Sequence, residues 1–140
     1  MATFSYIVEK LDQLDKVALK LISFLPKNKI FIFEGDMGSG KTTLIKKIVA
    51  ELGVGNACSP TFSIINTYLG THNQEMYHID CFRIEHENEA ENIGLVEIIN
   101  EENICFIEWP KKIHNLLPNN CVKVKIEVND NLRKILIQIW

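Results

Sequence analysis

The stretch "KIFIFEGDMGSGKT" (Lys29–Thr42) runs from an apolar, β-rich segment through a glycine-punctuated turn into the start of a helix. The part Lys29–Gly35, bounded by Asn28 and Gly35, predicts a buried strand. From Lys41 onward Leu44, Ile45, Ile48, Val49 and Leu52 recur at helical spacing and stop at Gly53 and Gly55. Between strand and helix, Gly35, Gly40, Lys41 and Thr42 satisfy G-x-x-x-x-G-K-[ST], with a third glycine at Gly38. A strand before and a helix after are the setting this pattern requires.

The chemistry behind the pattern is a grip on phosphate. Backbone N–H groups must curl around the anion, which excludes bulky Cβ atoms where the loop approaches it. Those groups lie at a helix N-terminus, whose partial positive charge favours an anion. Lys41 adds a full charge for the β- and γ-phosphates, and the Thr42 hydroxyl can enter a Mg²⁺ shell. The bland alternative is a glycine-rich turn that binds nothing; the flanking strand and helix argue against it.

Such a loop needs a carboxylate for Mg²⁺ or its water, usually at the end of a neighbouring apolar strand. Two runs end that way: "MYHID" closes on Asp80 and "ICFIE" on Glu108. Each could instead be a solvated strand end or a helix cap. His78 shares a face with Asp80 at a period of two, and either orients Asp80 or a water or is a satisfied structural histidine. Trp109 either covers the site or packs. Guanine-specific relatives of this loop carry N-K-x-D, whereas the nearest string here, "NKIF", precedes the loop and ends in Phe31. ATP is therefore favoured over GTP. Arg133, just after the turn "NDN", is a candidate to stack on the base, with surface solvation as the alternative.

Around this centre the chain reads as one domain over residues 1–140. Its 46% hydrophobic and 24% charged residues sit at the globular average. A net charge of −3 argues against direct binding to DNA or RNA through counterion release, though not against a partner protein that touches RNA. The apolar residues Ile7, Leu11, Leu14, Ala18, Leu21, Ile22 and Leu25 predict a helix from Ile7 to Pro26. "FSIINTYLG" and "EMYHIDCFRI" predict an antiparallel strand pair joined through "GTHNQ". "ICFIEW" predicts a further buried strand, Pro110 opens a short helix to Leu117, and "VKVKIEV" and "LRKILIQIW" predict strands around "NDN". The segment Glu85–Glu102 holds seven glutamates and no Lys or Arg, with only a weak helical face. It is either a solvated acidic face or a docking surface for a basic patch.

The expected fold is thus α/β, with helices flanking a mixed sheet behind the phosphate loop. Cys58, Cys81, Cys105 and Cys121 form no C-x-x-C pair, so metal-ligand spacing is absent and reduced thiols are expected. The N-terminus "MATFSYIVEKLDQLDK" carries charges where a signal peptide is apolar. No run approaches the roughly 18 apolar residues of a membrane span, so a cytoplasmic protein without membrane contact is expected.

Taken together, "GDMGSGKTTL", "SPTFSIINTY" (Ser59–Tyr68), "YHIDCFRI" (Tyr77–Ile84), the acidic stretch with Gly94, and "ICFIEWP" (Ile104–Pro110) resemble the TsaE/YjeE family. These are small bacterial P-loop ATPases required for threonylcarbamoyladenosine (t6A) modification of tRNA. The loop motif is shared by many families; the combination S-P-T-F, Y-H-x-D-x-[YF]-R and E-W-P is specific. The resemblance covers nearly the whole chain and implies a single-domain P-loop NTPase fold. It implies that Asp36, Met37, Gly38, Ser39, Gly40, Lys41, Thr42 and Thr43 hold the ATP phosphates, and that Thr42 and Glu108 coordinate Mg²⁺. It gives Asp80 as the catalytic carboxylate and Thr61 as a switch-loop threonine sensing the γ-phosphate. Without it, Ser59 and Thr61 read equally as turn chemistry around Pro60. Which of Asp80 and Glu108 polarises the attacking water stays open.

The family's partners are the proteins TsaD and TsaB, with tRNA reached only indirectly through their complex. ATP binding and hydrolysis, weak in the chain alone, would reset that complex between turnovers. Cys81 and Phe82 stand where the family more often has Leu and Tyr, and Lys111 and Lys112 where an acidic residue often follows the proline. Two other functions are compatible with the loop: a small kinase acting on a metabolite, and a nucleotide-dependent binding module that does not hydrolyse. A kinase usually has an arginine-rich lid, and this chain has only Arg83 and Arg133.

Overall fold

A computed structural model of the chain describes residues 1–55 and 64–139. Ser59, Pro60 and Thr61 of the expected switch loop, and Cys58, lie outside the described residues. The strands are β1 (Ala2–Val8), β2 (Ile30–Gly35), β3 (Ile65–Leu69), β4 (Glu75–Asp80), β5 (Ile104–Glu108), β6 (Val122–Asn129) and β7 (Leu132–Ile139). The α-helices are α1 (Leu14–Ile22), α2 (Lys41–Glu51), α3 (Glu87–Asn92) and α4 (Leu95–Asn100), with single 3₁₀ segments at Leu11–Gln13, Thr71–Asn73 and Pro110–Leu116. The strands form one sheet in the order β1-β7-β6-β2-β5-β4-β3.

Its centre is parallel: β2 pairs with both β5 and β6, and β5 with β4. Antiparallel strands close both sides, with β7 and β1 beyond β6 and β3 beyond β4. A period of two divides the core between the two faces. Phe31 and Phe33 of β2 and Phe106 of β5 pack with Leu44, Ile45 and Ile48 of α2 and Leu14, Val17 and Leu21 of α1. The alternate residues Ile30, Ile32, Cys105 and Ile107 pack instead with Ala90 of α3, Leu95 and Ile99 of α4, and Ile113. Every residue of β5 is buried, as expected of a strand covered on both faces. The α/β class and the mixed, helix-flanked sheet are those expected from the sequence.

One local expectation changes, and two others take a more specific form. The helix does not begin at Ile7. Residues Ala2–Val8 are a strand whose partner, β7, lies at the other end of the chain, in register Ala2↔Ile139 to Val8↔Arg133. Phe4, Tyr6 and Val8 turn inward while Ile7 and Leu11 stay exposed, so the apparent stripe joined an outward strand residue to a true helix starting at Leu14. The acidic segment forms two short helices because Gly94, at φ +85°, takes the left-handed turn between them. After Pro110 the expected short helix forms over Pro110–Leu116 as 3₁₀ turns, broken at Ile113 (φ −127°).

No helix among the described residues is long and apolar enough to cross a membrane. The thiols of Cys81, Cys105 and Cys121 are free, and burial pushes the first two up to about 12 and the third to about 11. They behave as core residues.

Candidate functional site

The three parallel strands β2, β4 and β5 end at the same edge of the sheet, where a ligand crevice is expected in open α/β folds. The loop leaving β2 turns at Asp36, whose carbonyl accepts from the Ser39 N–H at 3.1 Å, and α2 begins after Gly40 at φ +109°. The backbone N–H groups of the first turn of α2 therefore open onto this edge. Gly35 is required for another reason. A Cβ there would lie 2.6 Å from Ser39 Oγ and 2.8 Å from the Ile126 carbonyl oxygen. That carbonyl belongs to the neighbouring strand in register and cannot withdraw. Gly35→Ala is expected to destabilise the fold by about 1–3 kcal/mol. Urea denaturation would read this as a lower midpoint with an unchanged slope.

Lys41, the first residue of α2, is 5% exposed. Its Nζ donates to the Gly35 carbonyl and sits 3.6 Å from the centroid of the Trp109 ring. Trp109 reaches that position through a left-handed backbone (φ 56°, ψ 54°), an uncommon conformation for a bulky side chain. Its ring also meets Phe82 at a centroid distance of 5.0 Å. Burial pushes the Lys41 ammonium below its ordinary pKa, while Glu108, Asp80 and Asp36 pull it back up.

The two candidate carboxylates are neighbours by register, since Asp80 and Glu108 are Cα partners across β4 and β5. Their surroundings differ. Glu108 is buried, and its Oε1 and Oε2 lie 3.0 and 2.9 Å from the Thr42 hydroxyl, which donates to them. Its Oε2 also lies 2.6 Å from Nε2 of the fully buried His78. His78 thus contacts Glu108 rather than Asp80, because the next strand brings that carboxylate to its Nε2. Asp80 is partly exposed, and its Oδ1 accepts from the Phe82 N–H at 3.0 Å. Burial pushes its carboxyl above the ordinary range and Glu108 adds to this, while the Phe82 N–H, His78 and Lys41 oppose it.

Arg133, the candidate to stack on a base, lies 94 residues along the chain from Ser39 and donates its Nε–H to the Ser39 carbonyl at 2.7 Å. It reaches the loop from β7. Met37, Gly38, Ser39, Gly40, Lys41, Thr42, Thr43, Asp80, Glu108 and Arg133 all line one cleft of about 440 Å³, completed by Ile64, Phe82, Arg83 and Trp109. Asp36 lies outside this lining, in an adjacent depression with Trp109, Lys111 and Lys112. Sequence reasoning did not single out Phe82 or Arg83 by role. The signal was their place directly after Asp80, since residues that follow a strand's carboxyl end line the same crevice.

The model of the family described as "Threonylcarbamoyl adenosine biosynthesis protein TsaE" matches residues 8–135. The chain is 40% identical over 97 residues to the tRNA threonylcarbamoyladenosine biosynthesis protein TsaE of Borreliella burgdorferi, covering 69% of this chain and 70% of that one. It is 33% identical over 122 residues to the same-named protein of Haemophilus influenzae, covering 86% and 77%. The crystal structure of Bacillus subtilis YdiB is similar to this one at a TM-score of 0.80 and 25% identity, covering 99% of this chain and 86% of that one. The loop at the parallel strand ends, the sheet order and these matches agree on a P-loop NTPase fold. The chain belongs to the TsaE family of proteins in threonylcarbamoyladenosine biosynthesis on tRNA.

Proposed function

We propose that the chain binds ATP with Mg²⁺ and hydrolyses it in this cleft, and that turnover resets a TsaB–TsaD assembly during t6A formation in the cytoplasm. The observation that carries the hydrolytic reading is the convergence of Thr42, Glu108 and Asp80 beside Lys41 at the mouth of the loop.

The oxygens of Thr42 and Glu108 suit a hard cation. Thr42 Oγ1 and Glu108 Oε1 are 3.0 Å apart. Both oxygens stand at the mouth of the loop, where they would hold such a cation together. When bound, Mg²⁺ would neutralise charge developing on the β- and γ-phosphate oxygens. Lys41 supplies a second cation there, and Arg83 and Arg133 stand on the cleft wall.

Glu108 is engaged by both Thr42 and His78, and we assign it to the metal side. Asp80, with a carboxyl raised above the ordinary range by burial, is assigned to orient and accept a proton from the attacking water. Thr61 keeps its proposed place as the γ-phosphate sensor. Arg133 acts by holding the Ser39 carbonyl, which sets the curl of the loop; stacking on the base is a second role for its guanidinium.

Labelled ATP resolved by thin-layer chromatography, with TsaB and TsaD present, tests the reaction class. Phosphate released to water is expected, and its appearance on a metabolite instead would identify a kinase. ATP bound but never hydrolysed would identify a binding module. Arg133→Met is expected to weaken nucleotide binding roughly tenfold through the lost charged hydrogen bond, read by titration with a fluorescent ATP analogue.

A further inference from the structure

We propose that His78 is a positioning residue for Glu108, holding the rotation of that carboxylate against Thr42 as the Nε2–H tautomer. The proposal deepens the reading of Glu108 as the metal-side carboxylate and rests on it.

His78 sits in the middle of β4, with Asn66 of β3 and Phe106 of β5 as its Cα partners, and is fully buried. The Thr42 hydroxyl has one proton and stands 3.0 and 2.9 Å from the two oxygens of Glu108, so by itself it does not distinguish them. His78 does, because its Nε2 lies 2.6 Å from Oε2 alone. With Oε2 held by the imidazole, Oε1 and the Thr42 hydroxyl remain as the oxygen pair for the cation.

The tautomer follows from the other ring nitrogen. Among the described residues, His78 Nδ1 is buried with no hydrogen-bond partner. A proton on Nδ1 would bury an N–H without an acceptor and turn the Nε2 lone pair toward a carboxylate oxygen. Both are costly. With the proton on Nε2, the orphan is a bare acceptor, which is the cheaper group to leave unpaired. Ligand orientation by such a partner is typically worth 10–100-fold in metal affinity, roughly, when it is removed.

Long-range ¹H–¹⁵N correlation spectra of the full chain read the tautomer directly. A protonated Nε2 and a bare Nδ1 are expected; the reverse assignment, or protons on both nitrogens, overturns the proposal. The functional half is read from the Mg²⁺ concentration giving half-maximal binding of a fluorescent ATP analogue. His78→Leu is expected to raise it about tenfold or more while Mg²⁺-free affinity changes less than about twofold. His78→Gln is expected to recover most of the loss, since its amide N–H can stand where the imidazole Nε2–H stood. An unchanged Mg²⁺ requirement in His78→Leu, or an equal loss with and without Mg²⁺, overturns the proposal. Glu108→Gln separates the two levels. If it leaves the Mg²⁺ requirement of binding untouched, the reading of Glu108 falls as well. If it raises the requirement while His78→Leu does not, the positioning role alone falls.

Discussion

Lys41→Ala is expected to lower ATP hydrolysis by about 10³-fold or more and to abolish t6A formation in a reconstituted TsaB–TsaD system. The size of the effect follows from where the ammonium sits. It is enclosed between the Gly35 carbonyl and the Trp109 ring, beside Glu108 and Asp80, where a charge acts through little water. Lys41→Met, which keeps the aliphatic stem, should lose activity equally without losing stability. Burial lowers the Lys41 pKa in the folded chain, so the fold disfavours its charged form. Below the lowered value both states are protonated and the fold bears the whole difference. Stability is regained only as pH rises from the lowered value toward the ordinary lysine range. At neutral pH, removing the charge relieves that penalty, and thermal melting of Lys41→Met should occur at or above the wild-type temperature. Intact t6A formation with Lys41→Ala would refute the proposed function.

Asp80→Asn is expected to reduce hydrolysis by roughly 10²–10⁴-fold and, at neutral pH, to raise the melting temperature. The asparagine oxygen can still accept from the Phe82 N–H, so the loop after β4 keeps its anchor. What is lost is a carboxylate that the fold holds at a cost. Its pKa is raised by burial and by Glu108, so between the ordinary carboxylate range and the raised value the folded chain binds more protons than the unfolded one. Stability falls as pH rises through that window, and the penalty persists above it. The acid limb of the hydrolysis profile should accordingly lie above the range of an ordinary aspartate. Any residual activity of Lys41→Met should shift that limb further upward, because the Lys41 charge is one of the influences holding Asp80 down. A wild-type acid limb in the ordinary range would remove Asp80 from the role of proton acceptor.

Much of the fold was readable from local pattern. The strand, glycine turn and helix of Lys29–Leu52, the β3–β4 pair and the β6–β7 hairpin all have periods and turn residues that act over a few positions. The N-terminal segment shows where this stops. Ile7, Leu11 and Leu14 fit a helical spacing, and only pairing with Leu132–Ile139 makes Ala2–Val8 a strand with Ile7 outside. Tertiary pairing overrides local spacing whenever a segment fits two periods.

The candidate site divides in the same way. The sequence alone determined the phosphate loop, because backbone curvature, the helix N-terminus and the Lys41 charge all lie within one short run. It also marked Asp80 and Glu108 as acids closing apolar strands. Which group each acid meets was decided only by the sheet. Placing β5 between β2 and β4 sets Glu108 beside Asp80, under Thr42 and against His78, while β7 brings Arg133 to the Ser39 carbonyl. Periodicity tells a side chain which face it is on; it does not say which strand will lie next to it. That depends on closing long loops against the burial of the whole sheet, and no short window of residues contains it.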